Sequence, residues 1–197
     1  MLKVKKKDLI ENSVFSIYLA GIGYTVAQLR GDCQIEFFNI VRDHDNWIDI
    51  NLNEEDILFC IVVATRRLLT LFHRNVTTEV IRNERERCLL GLSYSTVRDN
   101  TGIFGLSLVK YDEVFEPDNI KVLVKDLEPV RHKDILYSFE LLSMNGNVEK
   151  IEQRLIRYFT DGVNFDEQIK ILYPEIEPPF KGYVRIKESD IGKILKN

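Results

Sequence analysis

Residues 14–40, VFSIYLAGIGYTVAQLRGDCQIEFFNI, constrain the fold of this chain more than any other stretch. Val14 to Leu19 is apolar and aromatic enough for a strand, and Ala20-Gly21-Ile22-Gly23 turns the chain with two glycines that tolerate positive φ. Tyr24 to Leu29 is the second predicted strand, with Tyr24, Val26 and Gln28 on one face and Thr25, Ala27 and Leu29 on the other. Gly31-Asp32 is the second turn, and Cys33 to Ile40 is the third strand. Its Ile35 and Phe37 share a face, opposite Glu36, Phe38 and Ile40. Apolar groups on both faces predict a meander covered on both sides.

Further elements follow in order. Ile57 to Ala64 reads as a buried strand, β-branched and apolar on both faces. Thr65 to Val76 fits strand or helix, and Thr77-Thr78-Glu79 resembles a helix start leading into a solvated NERER face, with Arg82 and Glu86 paired. Leu89 to Tyr111 reads as a hairpin turning at residues 98–102. That turn sets Thr96 opposite Phe104, Tyr94 opposite Leu106 and Leu92 opposite Leu108, leaving the small residues Gly91, Ser93, Ser95, Gly105 and Ser107 on the other face for a crossing helix. Ile120 to Val124 and Ile135 to Leu142 read as strands. Asn147 caps a helix with Val148, Ile151, Leu155, Tyr158 and Phe159 on one stripe, closed by Gly162. Short helices are expected from Asp166 to Leu172 and after Ser189.

Strands come first and helices later. The expected class is therefore α+β: a twisted antiparallel sheet built from the meander, the 57–64 strand and the hairpin, with helices mainly in the C-terminal third. At 197 residues the chain suits a single domain over 1–197, mostly strands in 1–111 and mixed strand and helix in 112–197.

No phosphate-binding glycine motif or nucleophile elbow occurs. The net charge of -4, and the absence of basic residues interleaved with aromatics on any strand, argue against a nucleic-acid partner. No signal peptide is expected, because the basic start MLKVKKK lacks an apolar run behind it, and no apolar run is long enough to span a membrane. Cys33, Cys60 and Cys88 lack zinc-type spacing and read as reduced, small apolar residues, which suits a cytoplasmic protein.

Between two strands lies a polar stretch, 41–56, holding Trp47, the only tryptophan, and six acids against the single cation Arg42. Trp47 reads either as an anchor that pins the loop or as an aromatic hot spot on an acidic surface. The candidate partner-binding residues are Asp43, His44, Asp45, Trp47, Asp49, Glu54 and Glu55. No catalytic residue, metal or cofactor is assigned.

Asp8, the run from Ser13 to Leu19, the run from Gly23 to Leu29 and the strand Ile35-Glu36-Phe37-Phe38, followed by the apolar strand Ile57 to Ala64, resemble the immunity protein 26 family of bacterial polymorphic-toxin systems. The resemblance reaches to about Val80 and departs at Asn12, where the family carries glycine. It implies a cytosolic protein that binds and neutralises a cognate toxin, by occlusion and without catalytic residues. A different class stays open: a metal-dependent phosphoester hydrolase using Asp43, His44, Asp45 and a distant His73 or His132, in line with a phosphotriesterase label also given to that family. An adaptor or structural subunit, including a homodimer, is the third.

Overall fold

The glycine turns bring the first three strands together as the alternation dictates. In the structure, a computed structural model that describes residues 4–98, 103–112 and 119–194, β1 (Val14–Leu19), β2 (Gly23–Leu29) and β3 (Gln34–Phe38) form an antiparallel meander. Asn12, which leads into β1, adopts φ 62, a left-handed conformation that asparagine tolerates better than most residues. Then come β4 (Ile50–Asn51), β5 (Ile57–Val62), β6 (Arg74–Asn75) and β7 (Val80–Ile81). One sheet has the order β5-β3-β2-β1-β6, and β4 pairs with β7 in a small parallel sheet. The hairpin strands β8 (Leu90–Arg98) and β9 (Ile103–Lys110) do not join the meander; they form a separate three-stranded sheet with β10 (Lys121–Val124). Among the described residues the α-helices that follow are α1 (Lys133–Ser138), α2 (Val148–Asp161), α3 (Glu167–Leu172) and α4 (Glu188–Ile194). The class is α+β, with the helices in the C-terminal third.

The chain gathers into two compact units, residues 1–88 with 143–161 and residues 89–142 with 162–197. In the first, both faces of the meander are covered, as its apolar alternation requires. Phe15, Ile17, Ala27, Ile35, Phe37 and Phe59 pack under the 65–70 turn and the apolar stripe of α2, Ile151 and Leu155. Asn147 starts that helix by accepting from the Lys150 N–H at 3.0 Å, and Gly162 ends it at φ 71. Truncating Leu155, which is fully buried, to alanine costs about 2–5 kcal/mol. On the opposite face Val14, Val26 and Phe38 pack with Trp47, Leu52 and Val76 from the loops.

The stretch 77–86 is not helical. Thr77 uses its Oγ1 to accept from the Val14 N–H at 2.9 Å, and Val80–Ile81 runs beside Ile50–Asn51, so the helical spacing of Arg82 and Glu86 is lost. A threonine that can hydrogen-bond a neighbouring strand has no reason to cap a helix instead.

In the second unit, Leu92 pairs with Leu108 and Tyr94 with Leu106 as the turn predicts, but the register shifts between Tyr94 and Val97 and sets Val97, not Thr96, opposite Phe104. The turn residues 99–102 lie outside the described residues. At Gly91 the small-residue face meets the Leu142 side chain, from a segment that runs beside β8. A Cβ on Gly91 would lie 2.5 Å from the Leu142 side chain, and Leu92 exchanges backbone hydrogen bonds with Glu140 and Leu142. The stretch expected as a strand from Ile135 is α1 up to Ser138. Ile135, Leu136 and Phe139 are buried, a helical i, i+1, i+4 spacing that a stretch this dense in apolar residues also presents as alternation.

Candidate functional site

The acidic loop is built around Trp47. Its ring is fully buried in the cluster of Val14, Val26, Phe38, Leu52 and Val76, and its Nε1–H donates to Asp45 Oδ1 at 2.6 Å. Trp47 is thus the anchor of the loop and is not available to a partner as a hot spot. Asp45 also accepts from Arg74 on β6: Nε donates to Oδ2 at 2.6 Å and Nη2 to its backbone oxygen at 2.6 Å. Arg74 closes the arrangement by donating to both carboxylate oxygens of Glu79. The hydrogen bond to Glu79 above all, and those to Asp45, hold the Arg74 guanidinium further up than its ordinary value against the opposing effect of burial.

The loop reaches this position because β2 admits it. Tyr24 and Arg42 exchange backbone hydrogen bonds of 2.8 and 2.9 Å. Gly23, at φ 131, lies so near that a Cβ there would come within 2.5 Å of the Arg42 oxygen, and any other residue would push the loop away. The Arg42 guanidinium then lies 5.9 Å over the Trp47 ring and donates to the Asn46 oxygen.

With Trp47 and Asp45 turned inward, the rest of the candidate set faces water. Asp43, His44, Asp49 and Glu54 are exposed, Asp56 joins them, and Glu55 is half-buried. Ile48 is 61% exposed between the acids. The acidic surface and the aromatic anchor are therefore two layers of one loop.

Three aromatic residues next to this surface escape a reading along the chain. The β1–β2 register sets Tyr18 opposite Tyr24, with ring centroids 5.1 Å apart, and His73 lies 5.2 Å from Tyr24 and 6.3 Å from Tyr18. His73 Nε2 is 3.7 Å from Asp45 Oδ2. The tight turn after Leu19 was the signal that could have paired the two tyrosines; nothing local in the sequence brings His73 to them.

A second polar arrangement lies on the same face of the sheet. The Gln28 amide accepts from the Asn83 N–H at 2.8 Å and donates to the Asn83 oxygen at 2.9 Å. Asn83 Nδ2 and Arg30 Nη1 each donate to Glu36 Oε2 at 2.7 Å, deep in the fold, while Glu36 Oε1 has no hydrogen-bond partner. Beside this network a groove of about 400 Å³ is lined by Glu11, Arg30, Arg82, Glu84, Glu86 and Arg87, among others. Both signs of charge line it, and Arg87 is tied to Asp32 at 2.9 Å.

The metal ligands considered for a hydrolase do not assemble. Among the described residues no group of three or more His, Cys, Asp or Glu side chains is placed to hold a metal ion. Asp45 is engaged by Trp47 and Arg74. His132 belongs to the second unit, where its Nδ1 accepts from the Glu128 N–H at 2.9 Å, and burial followed by the charge of Arg131 pushes it below the ordinary imidazole value. Cys33, Cys60 and Cys88 are thiols; Cys33 and Cys88 are exposed, so the role of buried apolar residue does not hold for them. Among the described residues no helix is long and apolar enough to cross a membrane.

The sequence matches the family described as Domain of unknown function (DUF8309) over residues 3–177, and the chain belongs to that family. No curated protein and no solved structure matches it.

Proposed function

We propose that this member of the family is a non-catalytic binding protein of the immunity type, which neutralises a cognate bacterial toxin in the cytoplasm by covering a basic surface on it. One observation carries the reading: the 42–56 loop is fastened by Trp47, Asp45 and Arg74, while Asp43, Asp49, Glu54 and Asp56, and Ile48 with them, are exposed to water. Loops held on a rigid scaffold are where recognition is usually found. Prefixed carboxylates steer a basic partner and limit the ordering cost of binding. The resemblance of residues 8–38 and 57–64 to the immunity protein 26 family supports the same reading.

Binding of the purified chain to the product of a neighbouring toxin gene, measured beside rescue of cells expressing that toxin, tests the proposal. A stable complex and rescue are expected. A toxin that neither binds nor is neutralised would overturn it.

A further inference from the structure

Tyr18 is the single exposed position on β1; the other five residues of the strand are buried. Its ring is not isolated but packs at a tilt in a cluster with Tyr24 and His73, which come from β2 and from the entry to β6. The three are fixed by backbone pairing: Tyr18 lies opposite Tyr24 in the sheet, and the His73 N–H donates to the Ser16 oxygen at 2.8 Å. The result is a preformed aromatic platform on rigid strands, half open to water.

We propose that this platform receives an arginine side chain of a basic protein partner. Ring faces attract cations, and arginine in addition stacks flat against them. The surroundings favour positive charge. Asp43 is exposed next to Arg42, the residue that pairs with Tyr24, and Asp45 Oδ2 lies 3.7 Å from His73 Nε2. Two cations stand nearby, Arg42 and Arg74, but Asp43, Asp45 and Glu79 together outweigh them, and Arg74 is shared between Asp45 and Glu79. A base of a nucleic acid could stack on the same rings, but its phosphates would meet these carboxylates unfavourably. The mixed-charge groove at Arg82 and Arg87 offers no comparable selectivity. The inference rests on reading the acidic loop as a protein-binding surface, and it names the group that the partner presents.

The test uses the full chain and a synthetic arginine-repeat peptide, a glutamate-repeat peptide and a mixed-sequence single-stranded RNA, followed by NMR of the tyrosine and histidine ring signals and of the loop amides. The expected result is movement of the Tyr18, Tyr24 and His73 ring signals with the arginine peptide alone. Tyr18→Leu should weaken binding about two- to fivefold and Tyr18→Phe should restore it, with unchanged thermal melts for both. Movement of the loop amides with still rings overturns the platform and leaves the acidic loop as a binding surface. Stronger ring shifts with RNA, or equal binding by Tyr18→Leu, also overturn it. Ring shifts with the arginine peptide alongside a failure to bind the toxin would uphold the platform and overturn the immunity reading.

Discussion

The side chain of Gln28 pairs with the main chain of Asn83 as a strand would, accepting from its N–H at 2.8 Å and donating to its oxygen at 2.9 Å. A single buried amide thereby fastens the 80–88 segment to the sheet 55 residues away in sequence. Asn83 in turn donates to Glu36, and Arg85 reaches the carbonyl oxygens of Leu52 and Glu55, so one segment links the sheet to the end of the acidic loop.

Replacing Gln28 with leucine leaves both main-chain groups of Asn83 buried without partners. The expected loss is about 2–4 kcal/mol, because an unsatisfied buried group costs more than the net value of its hydrogen bond. Urea unfolding checks this; a loss within experimental error would show that the 80–88 segment is held by other contacts.

Trp47→Ala should unfold rather than merely disarm the protein, at a cost of about 3–5 kcal/mol. Trp47→Phe keeps most of the apolar contact and loses the Nε1–H bond to Asp45, for about 1 kcal/mol. Thermal melts of the pair separate packing from hydrogen bonding.

Arg30 faces the buried carboxylate of Glu36 at 2.7 Å. Arg30→Met leaves that charge without its cation and should destabilise by about 3–5 kcal/mol. The double variant Arg30→Met, Glu36→Leu should recover part of the loss, since replacing both partners removes the stranded charge. A double-mutant cycle gives the coupling directly.

Acid should weaken the second unit through His132. Its imidazole lies below the ordinary value of 6.5 because burial and Arg131 disfavour the charged form. The unfolded chain therefore takes up a proton more readily than the folded one, and stability falls as pH drops below 6.5 towards the folded value. Above 6.5 the contribution is complete. Protonation of Nδ1 would also break its hydrogen bond from Glu128 N–H. His132→Gln should flatten the slope of stability against pH just below 6.5.

The meander was legible because its two glycine turns and alternating apolar residues leave one arrangement that buries both faces, and the helix after Asn147 because cap, stripe and closing glycine agree. The stretch from Ile135 was not, since consecutive apolar residues satisfy a strand and a helix equally well. The Thr77 start failed because its hydroxyl found Val14 across the sheet, a partner 63 residues distant. The acidic loop was visible from composition, but not which of its groups turn inward: Asp43 and Asp45 look alike until Arg74 and Trp47 are in place. The platform of Tyr18, Tyr24 and His73 depends on register and on the position of β6, neither of which a local pattern specifies.

Asp45 is structural, so the surface charge is best removed at Asp43→Asn, Asp49→Asn and Glu54→Gln together, all at exposed positions. The most direct measurement is the salt dependence of the association rate between the chain and its toxin partner, for wild type and this triple variant, by stopped-flow at matched melting temperature. Steering by the acidic loop predicts slower association of the variant at low salt, by about tenfold, and a flattened salt dependence. Identical rates and identical salt slopes for the two proteins would contradict it.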